Sequence, residues 1–198
     1  EAPSWYKGGV VYQIFPDRFA RDANWRERTM QALAVPRNGV SHQLVEDWEK
    51  TPEYQRDANG RVTEWDFYGG SLAGIEEKLP YLENLGITAL YLNPIYAASS
   101  NHRYDIADYL EVDPVLGTVE DFERLCVKAA EHGISIILDG VFNHCGADSK
   151  YFNKFSNYSE PGAVQQASSA YDEWFTFRED GTYESWWGVD ALPTIVSD

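Results

Sequence analysis

Three short apolar runs punctuate the chain, and the segments between them set its organisation. Val10–Phe15 (VVYQIF) is β-branched and aromatic and stops at Pro16-Asp17, which predicts a buried strand. Ile87–Leu92 is apolar throughout, as strands covered on both faces tend to be, and Ile134–Leu138 predicts a third strand. Between the first two, Ile75, Leu79, Leu82 and Leu85 follow helical spacing over Leu72–Leu85, with Gly86 placed as the C-terminal cap. Pro80 should kink or divide that helix. Before the third run, Thr118 and Asp121 make a variant capping box, with Glu120, Asp121 and Glu123 favourably placed at the helix start. Phe122, Leu125, Cys126, Ala129 and Ala130 then form the expected inward stripe, and His132-Gly133 ends the helix.

A Gly-Ile junction recurs at Gly86 and Gly133, so short turns lead from helix to strand while long polar segments lead from strand to helix. This is the asymmetry of repeated βα units whose site lies at the strand carboxyl ends, in a barrel or an open sheet. The first strand-to-helix segment, 18–68, has no sustained periodicity and is expected to carry a small subdomain of its own. After His144 the chain turns rich in Ser, Asn, Tyr and Trp with no long apolar period, which predicts an irregular inserted unit over 145–198 following a barrel-like part over 1–144. Three strands cannot close a barrel of about eight, so the 198 residues are expected to be part of a domain.

Composition narrows the ligand. The net charge of −16 disfavours nucleic acid and anionic membranes, and no run approaches the roughly 18 apolar residues of a membrane span. Aromatic residues make up 15%, many beside Gly, Asn and Asp. Aromatic faces next to carboxylates and amides suit a sugar, whose C–H face stacks while its hydroxyls bond polar groups; filling core and interfaces is the equally weighted alternative. Cys126 is expected to be a small buried hydrophobe, and neither it nor Cys145 has zinc spacing or an indicated partner. Glu1–Gly9 lacks the basic start and apolar core of an export signal, and there is no initiator Met, which reads as a mature or excised form.

Chemistry concentrates after the second and third strands. Leu90–Asp113 opens as a strand, breaks at Asn93-Pro94, and crowds His102, Arg103, Tyr104, Asp105 and Asp108 into one loop. Asp139, Asn143 and His144 directly follow the third strand. His102 and His144 together read as a ligand-binding pair rather than two structural histidines. Arg103, Asp105 and Asp108 have a surface ion-pair cluster as their plainer alternative. There is no G-x-S-x-G elbow, phosphate loop or H-E-x-x-H. Calcium is left open by the oxygen donors Asp17, Asp22 and Asn24.

These motifs together resemble the α-amylase family of glycoside hydrolases, within it the cyclomaltodextrinase, neopullulanase and maltogenic amylase group. VYQIFPDRF (Val11–Phe19), FYGGSLAGI (Phe67–Ile75), LGITALYLNPI (Leu85–Ile95), SNHRYDIADY (Ser100–Tyr109) and DGVFNHCG (Asp139–Gly146) carry the likeness, with YDEWFTFRE (Tyr171–Glu179) and WWGVDALP (Trp186–Pro193) similar to the family's B domain. The resemblance implies an α/β (β/α)8 TIM barrel, here its first three strands plus the inserted B domain. It implies retaining hydrolysis or transglycosylation of α-glucans such as maltooligosaccharides, cyclodextrins, pullulan or starch. By resemblance, Tyr104 would be the stacking platform, His102 and His144 would bond sugar hydroxyls, and Asp105 would support that wall. Asn93, Asp139 and Asn143 would hold the site's architecture. The family's catalytic carboxylates are expected beyond Asp198, so these 198 residues alone are expected to be inactive. Ser71 stands where some relatives place a calcium-binding Asp, which weakens the case for calcium; no other cofactor is implied. A non-catalytic carbohydrate-binding homologue is the alternative. A homodimer of the longer protein is compatible with this group, and a cytoplasmic location is favoured with an extracellular one left open.

Overall fold

The computed structural model describes residues 2–196, with backbone alone at 166–168. Strand β1 (Val11–Ile14) runs into a 3-10 turn at Pro16–Arg18. The excursion that follows carries helix α1 (Trp25–Leu33) and strands β2 (Ser41–Leu44), β3 (Gln55–Arg56) and β4 (Val62–Phe67), which form a small sheet of order β2-β4-β3. The excursion over 18–68 therefore carries elements of its own. The next helical stretch is divided, as Pro80 requires, into α2 (Leu72–Glu77) and α3 (Leu79–Asn84), with Lys78 between them. Ser71 caps α2 by accepting the Gly74 N–H at 3.0 Å.

Strand β5 (Ala89–Leu92) comes next, and then a feature the pattern did not reveal. What read as one polar loop contains a hairpin, β6 (Tyr96–Ala98) and β7 (Ile106–Val112), with the 99–105 loop at its tip. Helix α4 (Val119–Glu131) begins at the capping box: Asp121 N–H donates to Thr118 Oγ1 at 3.2 Å and Thr118 N–H returns to Asp121 Oδ2 at 2.9 Å. Strand β8 (Ser135–Leu138) completes a parallel sheet of order β1-β5-β8, in register Val11–Ala89–Ser135 and Ile14–Leu92–Leu138.

One core binds these parts. Leu72, Ile75, Leu79 and Leu82 from α2 and α3 meet Leu90 and Leu92 from the central strand and Leu125 and Ala129 from α4. Each fully buried Leu or Ile contributes roughly 1.5–3 kcal/mol relative to exposure. The inward stripe of α4 is narrower than expected: Cys126 is half-buried and Ala130 exposed, because only Leu125 and Ala129 point straight at the sheet. Leu85 is likewise 51% exposed, since α3 ends one residue before it. Both cysteines are free thiols, and it is Cys145 that is buried.

Residues after His144 build a second cluster from Cys145, Ala147, Tyr151, Phe152, Ala163 and Phe175. Phe152 lies edge-on to Phe175 (4.9 Å) and Tyr183 (4.7 Å) at its centre. Regular structure is sparse among the described residues there: 3-10 turns at Ala163–Ser168, Asp172–Trp174 and Trp186–Gly188, and isolated antiparallel bridges such as Phe177–Tyr183 and Ser185–Pro193. No helix among the described residues is long and apolar enough to cross a membrane.

Candidate active site

The carboxyl ends of β5 and β8 and the hairpin tip converge on one wall. Asp139 leaves β8 with its N–H bonded to Leu92 O at 3.1 Å, which fixes its side chain beside the neighbouring strand. Tyr104 reaches across from the hairpin tip and donates its phenol to Asp139 Oδ2 at 2.8 Å. The Tyr91 phenol on β5 lies near the same carboxylate. Burial, then the Asp139 carboxylate, pushes both phenols above the ordinary tyrosine range, so each stays protonated.

His102 stands next to Tyr104, ring centroids 5.8 Å apart, with Trp65 of β4 edge-on at 5.0 Å. The Tyr104 N–H donates to His102 Nδ1 at 3.1 Å. Nδ1 is thus an acceptor, and the neutral ring carries its proton on Nε2, free to donate to a ligand hydroxyl. Burial, reinforced by the Arg103 charge, drives the imidazole down to about 4. Neutral polar ligands are what such a ring serves near pH 7.

Asp105 faces the other way. Its carboxylate accepts the Ser100 N–H at 3.1 Å and the Ser100 hydroxyl, tying the loop's start to its end. Behind it Asp148 accepts the Ser99 hydroxyl, and burial pushes both carboxyls up. Asn93 Oδ1 accepts from Gln13 Nε2 at 2.7 Å, bracing the ends of β1 and β5. Asn143 O accepts the Ile195 N–H at 3.0 Å, while its side chain is exposed.

His144 is buried, and neither ring nitrogen has a well-aligned hydrogen-bond partner among the described residues. Its ring stacks on Trp186 (4.9 Å, 26°). Burial lowers its pKa; the Tyr104 backbone partly opposes this and His102 adds to it. The Tyr109 phenol, 2.6 Å from Val141 O and 2.9 Å from His144 O, holds the loop that carries it.

The surface ion-pair reading of Arg103, Asp105 and Asp108 is overturned. Arg103 is fully buried, in the left-handed region at φ 61°, with Nε 2.9 Å from Asp113 Oδ2 and Nη1 donating to Asn101 O at 2.7 Å. Asp108 pairs instead with Lys150 at 2.6 Å. A buried guanidinium under the 99–105 loop fixes that loop from below.

The carboxylates among the candidate calcium donors are engaged by the protein itself. Asp17 accepts the Tyr68 N–H (3.1 Å) and Gly69 N–H (3.3 Å) and pairs with Arg18. Asp22 is bonded by Arg28, Ser71 and Asn24; burial works against them, yet they hold its carboxyl at about 2. Each carboxylate serves its own protein donors, and no group of three or more His, Cys, Asp or Glu among the described residues is arranged to hold a metal.

Sequence reasoning missed Tyr91, Trp65, Asp148 and Trp186. Tyr91 had a signal, being a polar-tipped ring in an otherwise apolar strand. Asp148 and Trp65 had none, since they approach the wall from distant segments. Beside His102 and Asp105, a cavity of about 610 Å³ opens between the 56–62 turn, Trp65, Phe155 and residues 188–192.

Comparisons with known proteins identify the family. Residues 13–192 match the family described as "Alpha amylase, catalytic domain". An amylopullulanase of Thermoanaerobacterium saccharolyticum is 44% identical over 205 residues, covering 98% of this chain and 16% of the relative. Neopullulanase 2 of Thermoactinomyces vulgaris is 42% identical over 178 residues, covering 90% and 25%. The chain thus spans about a sixth to a quarter of the length of these curated relatives. Among solved structures, a cyclic α-maltosyl-(1→6)-maltose hydrolase from Arthrobacter globiformis, in complex with its named sugar, superposes with a TM-score of 0.72 at 34% identity, covering 98% of this chain and 38% of that one. The three parallel strands with their helices correspond to part of a (β/α)8 barrel, and the chain belongs to the alpha-amylase catalytic-domain family.

Proposed function

We propose that this chain supplies the sugar-binding wall of an α-glucan hydrolase that acts on α-1,4 and α-1,6 glucosidic bonds with retention. The observation that carries the reading is the Tyr104 ring, pinned by its phenol to Asp139 and flanked by His102 with a free Nε2–H. A flat aromatic face beside neutral donors matches a glucosyl ring, which stacks its C–H face and bonds through its hydroxyls. His144, with no aligned partner for its ring nitrogens, is the second such donor or acceptor. The relatives' names, amylopullulanase, neopullulanase and cyclic maltosyl-maltose hydrolase, support both linkages.

In this reading the present residues bind and orient. Tyr104 aligns the sugar ring, the two histidines fix its hydroxyls, and Asp139 keeps Tyr104 from rotating. A retaining glycosidase also needs two carboxyl groups about 5 Å apart as nucleophile and acid/base, and we assign those to polypeptide outside these 198 residues. The division at His144, barrel part before and B domain after, belongs to the same proposal.

The test is to incubate the full polypeptide with maltohexaose, cyclodextrin and pullulan and to follow the anomer released by NMR. Sugar release with the α-anomer appearing first is expected, and none from the 198 residues alone. A full polypeptide that binds these sugars but releases none would make the protein a carbohydrate-binding homologue instead.

A further inference from the structure

His144, Trp186 and Trp187 form a continuous ring stack leading out of the wall. Trp186 lies on His144 at 4.9 Å, and Trp187 lies on Trp186 at 4.7 Å with planes only 9° apart. Trp187 is 86% exposed, the outermost ring of the stack. Its backbone sits in the left-handed region at φ 53°, ψ 26°, a conformation that bulky side chains rarely adopt and that is stored mostly at ligand clamps and active sites. The turn that imposes it is well tied: Trp186 N–H donates to Leu192 O at 2.9 Å, Gly188 N–H to Ser185 O at 3.1 Å, and Val189 N–H to Trp186 O at 3.0 Å. An indole held rigidly outward has already lost the freedom that binding would otherwise cost.

We propose that Trp187 is a stacking platform for a second glucosyl unit of the α-glucan chain, a subsite two ring spacings from His144. This inference rests on the α-glucan reading above and extends it to a specific contact. An exposed indole face offers a sugar's C–H face a large apolar contact area, and the single ring of Trp186 joins it to His144. Charge does not compete, because a glucan is neutral.

The experiment uses the full polypeptide with maltohexaose, comparing wild type with Trp187→Ala, Trp187→Gly and Trp187→Phe. Trp187→Ala and Trp187→Gly should raise KM about tenfold, the loss typical of an aromatic anchor, with kcat changed less than about twofold. Trp187→Phe should stay within about threefold of wild type, since it keeps a stacking face. Glycine is at ease at φ 53°, so Trp187→Gly should keep or raise the melting temperature while binding falls. An unchanged KM in Trp187→Gly overturns the platform. So does a large fall in its melting temperature, which would place the indole against other polypeptide instead of a ligand. A wild type inert toward maltohexaose, neither binding nor cleaving it, overturns the α-glucan reading itself, so the two failures are distinguishable.

Discussion

Tyr104 and Asp139 lie 35 residues apart, on the tip of one hairpin and the end of a barrel strand, and are joined by a 2.8 Å hydrogen bond from phenol to carboxylate. The bond connects the hairpin tip that presents the Tyr104 ring to the sheet that carries the rest of the wall. Tyr91 approaches the same carboxylate from the strand between. Orientation of the Tyr104 ring is therefore set by a bond between two separate elements.

The Tyr104→Phe variant keeps the face and removes only the tether. A hydrogen bond to a charged group is worth about 1.5–3 kcal/mol, so kcat/KM of the full polypeptide on maltohexaose should fall about 10- to 100-fold. Tyr104→Ala should fall further, because it loses the stacking surface as well. Steady-state kinetics with matched melting curves separates loss of orientation from loss of fold, and equal activity of Tyr104→Phe and wild type would remove the tether from the mechanism.

Acid should weaken the fold through its histidines. Burial drives His42, His102 and His144 below the ordinary histidine range, His102 to about 4. In the unfolded chain a histidine titrates near about 6.5. Between pH 4 and 6.5 the unfolded state therefore binds more protons, and stability rises with pH; the contribution is full above 6.5 and is lost as pH falls towards 4. Melting temperatures of wild type and His102→Gln across this window isolate the His102 share, since the carboxylates are common to both. The variant's slope should be shallower, and parallel curves would place His102 in a solvated setting.

The barrel strands were legible as apolar runs, and the Gly-Ile junctions marked the approach to two of the three; the first is less buried than its run predicts, with Val11 40% exposed. The hairpin was not. Ile106–Val112 (IADYLEV) mixes apolar, acidic and aromatic residues, and its partner is only the three-residue Tyr96–Ala98. Neither half shows a clean period of two, since bulges shift the register twice. His102, Tyr104, Asp139 and His144 converge in the structure, as strand ends crowned with polar residues suggested. Arg103 was misjudged for the opposite reason: a charged loop residue is ordinarily exposed, and its buried partner Asp113 lies ten positions on. Trp65 and Asp148 come from other segments, and no local pattern encodes such an approach.

Arg103 and Asp113 form a buried pair, so removing either should cost more than the pair itself contributes. Arg103→Met leaves Asp113, only 3% exposed, without its cation, and Asp113→Asn leaves the buried guanidinium without its anion. Loss of about 3–5 kcal/mol is expected. The double variant Arg103→Met, Asp113→Asn should recover part of that loss, because no uncompensated charge remains. Urea unfolding of the four proteins of this cycle measures the coupling. Additive losses would show that the two side chains do not depend on each other.

The last prediction concerns where the 18–68 excursion returns to the barrel. Gly70 packs so closely on the end of β1 that an added Cβ would lie 2.0 Å from Pro16 O and 2.7 Å from the Asp17 carbonyl carbon. Its N–H donates to Asp17 O at 3.0 Å, and the Asp17 carboxylate holds the two preceding amides. Both neighbours are backbone, so neither can yield by changing rotamer. Gly70→Ala should cost about 3 kcal/mol or more through overpacking, although its φ lies outside the left-handed region. Gly60 supplies the contrast. It has φ +81° and nothing within 4 Å of a built Cβ, so Gly60→Ala should cost only the conformational penalty of about 1–2 kcal/mol. A lower urea midpoint for Gly70→Ala than for Gly60→Ala shows that close approach, not backbone twist, fixes this junction. The reverse order would mean that the junction has room to open, and that Asp17 alone holds the excursion beside the wall.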